Sequence, residues 1–175
     1  AGTLVLTNTA GATTLDNGSN AIAKLGAIDS TGGNFALTNT VPLAVTQNVT
    51  ATGKNVTISN GENAVSFTGT PAIASADLTI TASDITTLNN ATLTNVTGAL
   101  TLKPNTTSST IGLGAGAAQS FNLDDTEIAK LKAAASATSI TIGAVTGSGG
   151  LTLSGPVDLG GRTVNIKSGA VSGSS

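Results

Sequence analysis

The sequence predicts an all-β fold, a parallel β-helix of about 21–22 residues per coil with a short helical insertion near residues 124–134. Three observations predict it. An apolar–polar–apolar triplet recurs along the chain. The segments between triplets are rich in Gly and Asn. The composition suits a thin aliphatic core: of 175 residues, 39% are hydrophobic, but only 2% are aromatic and 9% charged. Soluble domains carry roughly 25% charged residues. Disordered chains lack branched aliphatics, and here they recur regularly.

The triplets stand at Phe35-Ala36-Leu37, Val56-Thr57-Ile58, Leu78-Thr79-Ile80, Leu100-Thr101-Leu102, Phe121-Asn122-Leu123, Ile140-Thr141-Ile142 and Val164-Asn165-Ile166. Their starts differ by 21, 22, 22, 21, 19 and 24 residues, inside the range of solenoid repeats. Successive side chains of a strand point to opposite faces, so the flanking aliphatics go in and the central Thr or Asn goes out. Further pairs lie between the anchors at Leu43/Val45, Val65/Phe67, Ile111/Leu113 and Leu151/Leu153, with third apolar points at Val49, Ile73, Val96, Val157 and Val171. Gly53, Gly61, Gly69, Asn89-Asn90 and Gly98 fall between them, and these residue types make corners. Two or three short strands per turn describe one coil, and about eight turns are expected over the chain. Right-handed winding follows from the general preference for right-handed crossovers.

Residues 1–34 are expected to form irregular first coils and 35–171 regular ones, all within one solenoid segment, 1–175, of a much larger protein. Leu6-Thr7-Asn8-Thr9 echoes Leu37-Thr38-Asn39-Thr40, which implies a repeat interrupted by an insertion. Ala21-Ile22-Ala23-Lys24-Leu25 is the expected inserted piece, a short turn or helix. The segment Asp124–Ala134 reads as a helix replacing one side of a coil. Asp124 is a good N-cap and Glu127 completes a capping-box pattern. Acids open the segment, Lys130 and Lys132 close it, and Ile128 and Leu131 form one apolar stripe.

The chemistry is sparse. The net charge is -2 and no Cys or His is present. With no basic patch, nucleic acid is not an expected partner. No apolar run is long enough for a membrane-spanning helix, and no cofactor is indicated. Asp124, Asp125 and Glu127 form the only dense acidic cluster. Helix capping accounts for it, with a Ca²⁺ site or a carboxylate pair as the alternative. Asp77 and Asp84 could meet across a coil corner, but a carbohydrate-active β-helix would need a larger set of stacked carboxylates and basic residues. Asn-X-Ser/Thr sequons occur at Asn17, Asn48, Asn55, Asn90, Asn95 and Asn105. These are candidate glycosylation sites, although Ser and Thr are common enough here to generate sequons by chance. Outward Thr rows at Thr57, Thr79, Thr101 and Thr141 suit a solvated strand face. They also suggest an ice-binding face, against which the drifting period argues.

The coils beginning Phe35-Ala36-Leu37-Thr38-Asn39-Thr40 and Gly150-Leu151-Thr152-Leu153-Ser154-Gly155 resemble the central repeats of filamentous-haemagglutinin-like bacterial exoproteins. So does the block Ser109–Gly114, Phe121–Leu131 and Ile140–Gly143. The resemblance extends from about Phe35 to Val171. It implies a right-handed β-helix secreted to the cell surface of a Gram-negative bacterium through an outer-membrane secretion partner. It further implies adhesion to a host or neighbouring cell, aggregation or biofilm formation; separately, unpaired coil edges suggest self-association into fibres, and the sparse titratable groups suggest no catalytic activity. The chain lacks the Asn-Pro-Asn-Gly motif of that family's secretion domain, so the resemblance points to rod. A pilin-like β-sandwich subunit with strand exchange is the competing expectation, and it predicts antiparallel hairpins.

Overall fold

A computed structural model of the chain describes residues 2–144 and 147–174. It is a β-solenoid of about seven turns, one fewer than the spacing suggests. Every ladder between described strands is parallel, which removes the sandwich with antiparallel hairpins.

Each coil has up to three sides. The first side carries β2 (Thr13–Leu15), β4 (Phe35–Thr38), β7 (Val56–Ser59), β10 (Leu78–Ala82), β13 (Ala99–Pro104), β16 (Ser139–Gly143) and β18 (Thr163–Lys167), stacked in that order. Its ladders show no register shift. Phe35, Val56, Leu78, Leu100, Ile140 and Val164 form one inward column. Leu37, Ile58, Ile80, Leu102, Ile142 and Ile166 form the other. From β4 to β16 these side chains are buried, whereas on the outermost strand β18 Val164 is half-buried and Ile166 is exposed. Removing that apolar surface from water is the main favourable contribution to folding.

The other two sides begin together in β3 (Ile22–Asp29). The first half of β3 pairs with β5 (Leu43–Val45), and its second half with β6 (Val49–Ala51). Later coils keep that division. The second side continues through β8 (Val65–Phe67) and β11 (Ile85–Thr86), the third through β9 (Ala72–Ser75) and β12 (Thr92–Val96). Gly53, Gly61 and Gly69 take positive φ at the corners, as the spacing predicts.

Polar groups at two corners are also stacked. The Asn34 Oδ1 accepts from the Asn55 N–H, the Asn55 Oδ1 from the Asp77 N–H and the Asp77 Oδ1 from the Ala99 N–H. Each coil's side chain thus satisfies a backbone donor of the next coil that the strand ladder leaves open. Inside another corner, Asn39 and Asn60 are both fully buried, and Asn39 Nδ2 donates to Asn60 Oδ1 at 2.8 Å. Asn39 also serves the Ile22 N–H and the Ile22 and Val41 carbonyls, so its burial is compensated.

Three expectations are corrected. First, residues 21–25 are not a turn or helix: β3 is an eight-residue strand. Its Ala, Lys and Leu favour helix locally, but parallel partners on both edges, β1 (Gly2–Thr7) below and β5 and β6 above, outweigh that preference. Second, the echo between Leu6–Thr9 and Leu37–Thr40 does not mark stacked coils. β1 lies on β3, whereas Thr13-Thr14-Leu15 lies under Phe35-Ala36-Leu37. The first-coil anchor was masked because Thr13 takes an aliphatic place. Third, Phe121-Asn122-Leu123 is not a first-side anchor. Leu100 pairs directly with Ile140, a step of 40 residues, and β15 (Phe121–Leu123) sits elsewhere, on β14 (Ile111–Leu113).

That long coil changes the cross-section. The strands β15, β14, β17 (Leu151–Ser154) and β19 (Val171–Ser174) form a separate sheet in that order. Its β15 packs against β11, so it prolongs the second side. The third side stops at β12, where α1 (Asp125–Ala133) packs against it. Val157, expected as a strand point, lies outside any strand, and Val171 extends the second side instead.

Replacing Ile80 with Asp is expected to unfold at least the adjoining coils, because a buried unpaired charge costs several kcal/mol. Ile80→Val should cost only about 0.5–1.5 kcal/mol. Urea denaturation followed by circular dichroism distinguishes the two.

Candidate functional site

The predicted acidic cluster is divided by the fold. Asp124 has extended backbone and caps α1: its Oδ1 accepts from the N–H groups of Thr126 and Glu127 and from the Thr126 hydroxyl. These bonds hold its carboxyl below the ordinary Asp value. Glu127 is 5% exposed. Its Oε2 accepts from the Asp124 N–H at 3.1 Å, closing the capping box, and its Oε1 accepts from the Leu88 N–H at 3.0 Å. Leu88 opens a short 3-10 turn, Leu88–Asn90, that follows β11. Glu127 therefore ties the helix to the coil beneath it across 39 residues of sequence. Asp125 is exposed and lines a different depression, with Ile128, Lys132 and Asp158.

Asp84 joins the cluster unannounced by the sequence. It lines a depression of about 180 Å³ with Asp124 and Glu127. Its Oδ1 accepts from the Asn122 N–H at 2.9 Å, bridging β15 to the residue just before β11. Burial pushes both Asp84 and Glu127 above their ordinary values. Asp77 stays at the opposite end of β10, in the corner ladder, so the two aspartates do not meet. No group of three ligating side chains suited to a metal ion gathers among the described residues. The geometry explains these acids as couplings between helix and coil.

The junction has two further supports. Thr87 is the one described non-glycine residue with positive φ, at 57°. Its hydroxyl accepts from the Phe67 N–H and donates to the Phe67 carbonyl, doing for β8 what a strand residue would have done. At the far end of α1, the Arg162 guanidinium donates to the carbonyls of Leu131, Lys132 and Ala134. A cation there satisfies the unpaired carbonyls and opposes the negative end of the helix dipole.

The sequons separate into three pairs. In Asn48 and Asn55 the side-chain oxygen accepts from the N–H of Ala72 and Asp77 in the next coil. In Asn90 and Asn105 the amide nitrogen is engaged, by the Phe67 carbonyl and by Glu62 Oε1. Asn17 turns its oxygen to the Ser19 N–H and is exposed, as is Asn95 at the bulge in β12.

The most extended polar feature is the outward face of the first side. Thr57, Thr79, Thr101 and Thr141 pair in direct succession, flanked by Ala36 and Thr14 below and Asn165 above. A second outward row runs through Thr38, Ser59, Thr81 and Lys103. The drift in sequence spacing is absorbed in the loops, and these rows stay in register. No helix is long and apolar enough to cross a membrane. No protein-family model matches the chain, and neither a curated protein nor a solved structure matches it.

The acids yield a pH prediction. Asp84 and Glu127 have folded-state values above their ordinary ones, so their charged forms cost stability near neutrality. That cost is relieved as pH falls through the folded values. The contribution of Asp124 runs the other way and is lost only at more acidic pH. Melting temperature is expected to hold or rise from neutral to mildly acid pH and to fall below that. Glu127→Gln should flatten the rise. A steady decline from neutrality in the parent chain contradicts the assignment. Arg162→Ala should lower the melting temperature at all pH values through the lost helix cap.

Proposed function

We propose that the chain is a rod segment of a secreted or cell-surface bacterial filamentous protein, with structural and adhesive roles. The observation that carries the reading is the unshifted first side: a row of outward hydroxyls over a core that closes only by stacking. A solenoid of this kind grows by adding coils, and each added coil extends both the core and the outward face. Contacts made by single Thr and Asn side chains are weak. Repeated along a rod and among neighbouring rods, they sum to avidity. The resemblance of the coils to filamentous-haemagglutinin-like repeats supports the same reading, together with export through an outer-membrane partner.

The side-chain chemistry fits this role better than catalysis. The buried carboxyls of Asp84 and Glu127 are turned to backbone N–H groups, and the Asp77 carboxylate serves a corner. The guanidinium of Arg162 closes a helix.

Beads carrying one or many copies of the chain per patch test the reading on bacterial and host cells. Retention is expected to be weak for single copies and to rise steeply with copy number. Thr79→Glu and Thr101→Glu together should abolish it while leaving circular dichroism unchanged. Arrays that fail to adhere at any density, or that adhere equally after both substitutions, contradict it.

A further inference from the structure

The first side is uniform in its lower coils and changes above β10. The second outward row runs Thr38, Ser59, Thr81 and Lys103; the paired register of β13 and β16 ends one residue earlier, at Leu102 and Ile142, and Gly143, which follows Ile142, pairs with Lys167. Lys103 on β13 and Lys167 on β18 thus stand two strands apart, a backbone separation of about 10 Å. Between them Gly143 contributes no side chain. Its φ is +95°, and a Cβ there would run into the Lys167 carbonyl oxygen, so the gap is fixed by the backbone. A groove of about 460 Å³ opens at this place. Lys103, Lys167, Thr81, Thr101, Thr141 and Asn105 line it.

The lining is chemically one-sided. Among the described residues, no carboxylate lines the groove. The nearest acid tied to it is Glu62, whose Oε1 accepts from Asn105 Nδ2 at 2.9 Å. That bond leaves the Asn105 amide oxygen as an acceptor. Lys132 is the lysine ion-paired with Asp158, and the side chains of Lys103 and Lys167 have no hydrogen-bond or ion-pair partner among the described residues. The threonine hydroxyls each offer one donor and acceptor lone pairs. A groove of this volume accommodates a small ligand or a short stretch of polymer. Two point charges set apart, hydroxyls between them and no aromatic ring form a poor nucleic-acid site, which needs clustered cations and stacking platforms. They suit a chain of sugars that carries carboxylates.

We propose that the groove over β13, β16 and β18 binds an acidic saccharide, with carboxylates at Lys103 and Lys167 and sugar hydroxyls on the threonine row and Asn105. This names a ligand class for the adhesive face and rests on the reading that this face makes contact. It predicts that adhesion is local to the upper coils for acidic surfaces, whereas the lower hydroxyl rows are indifferent to charge.

The test uses the whole chain and titration calorimetry with oligogalacturonate, the galacturonate monomer, a neutral galactose oligomer of equal length and inorganic phosphate. Oligogalacturonate is expected to bind, the monomer more weakly and the neutral oligomer not measurably. Binding should weaken as salt rises. Lys103→Gln and Lys167→Gln should each weaken it about fivefold, as expected of a partly exposed ion pair. Lys54→Gln, an exposed lysine outside the groove, should leave it unchanged. The proposal is overturned if oligogalacturonate does not bind, if the neutral oligomer binds equally, if Lys54→Gln weakens binding as much as Lys103→Gln, or if phosphate binds as tightly as the oligomer. Bead arrays carrying both Gln substitutions separate the two ideas. Undiminished adhesion to cells leaves the adhesive rod standing and removes the saccharide site from it.

Discussion

The structure depends on the in-register stacking of aliphatic side chains along the first side. One coil has an inside only two side chains wide and cannot remove those side chains from water alone. Leu78 and Ile80 are fully buried because Val56 and Ile58 lie below them and Leu100 and Leu102 above. The parallel ladder fixes that arrangement, since a slip of one residue would turn every aliphatic outward and every threonine inward. The large apolar side chains that remain exposed among the described residues obey the same rule. Val5 lies on β1, Ile166 on β18 and Val171 on β19, in the outermost strands where a neighbour is missing on one side.

Everything irregular is accommodated around that column. The coil between Leu100 and Ile140 is nearly twice the usual length, yet β13 and β16 pair without a shift. The extra residues lay β15 under β14 and set α1 on the edge of β12. An inserted helix must then be fastened from both ends. The buried Glu127 does this at the N-terminus, where its desolvation is offset by two backbone N–H groups. Arg162, from the end of the next coil, does it at the C-terminus. The outward face carries none of these burdens. Its residues are constrained to strand-compatible shapes but not to particular partners, which leaves it available for contact with other surfaces.

Much of this was legible in the sequence, and for a definite reason. Alternation reports the inward and outward faces directly, so the columns through Val56, Leu78 and Leu100 follow from the residues. The capping box at Asp124 and Glu127 is a local pattern and is visible in the sequence. What alternation cannot report is which side of the coil a strand occupies. Phe121-Asn122-Leu123 has the right pattern and nearly the right spacing, yet it belongs to the second side because an insertion placed it there. Thr13 hid the first anchor by substituting a hydroxyl for a methyl. Asp84, Leu88 and Arg162 gave no local signal, because their partners lie 28 to 39 residues away. A drifting period does not break the hydroxyl rows either, since loops vary in length while the ladder does not.

The most direct measurement is disulfide mapping, for which the absence of native cysteine is convenient. Thr101→Cys with Thr141→Cys places two thiols on adjacent parallel strands, within the Cα separation that a disulfide spans. Thr101→Cys with Asn122→Cys places them on different sides of the coil. Under mild oxidation the first pair is expected to close quantitatively in the folded chain, and the second to stay reduced. Closure of the second pair with an open first pair would mean that the 40-residue step is wrong, and with it the account of a continuous first side.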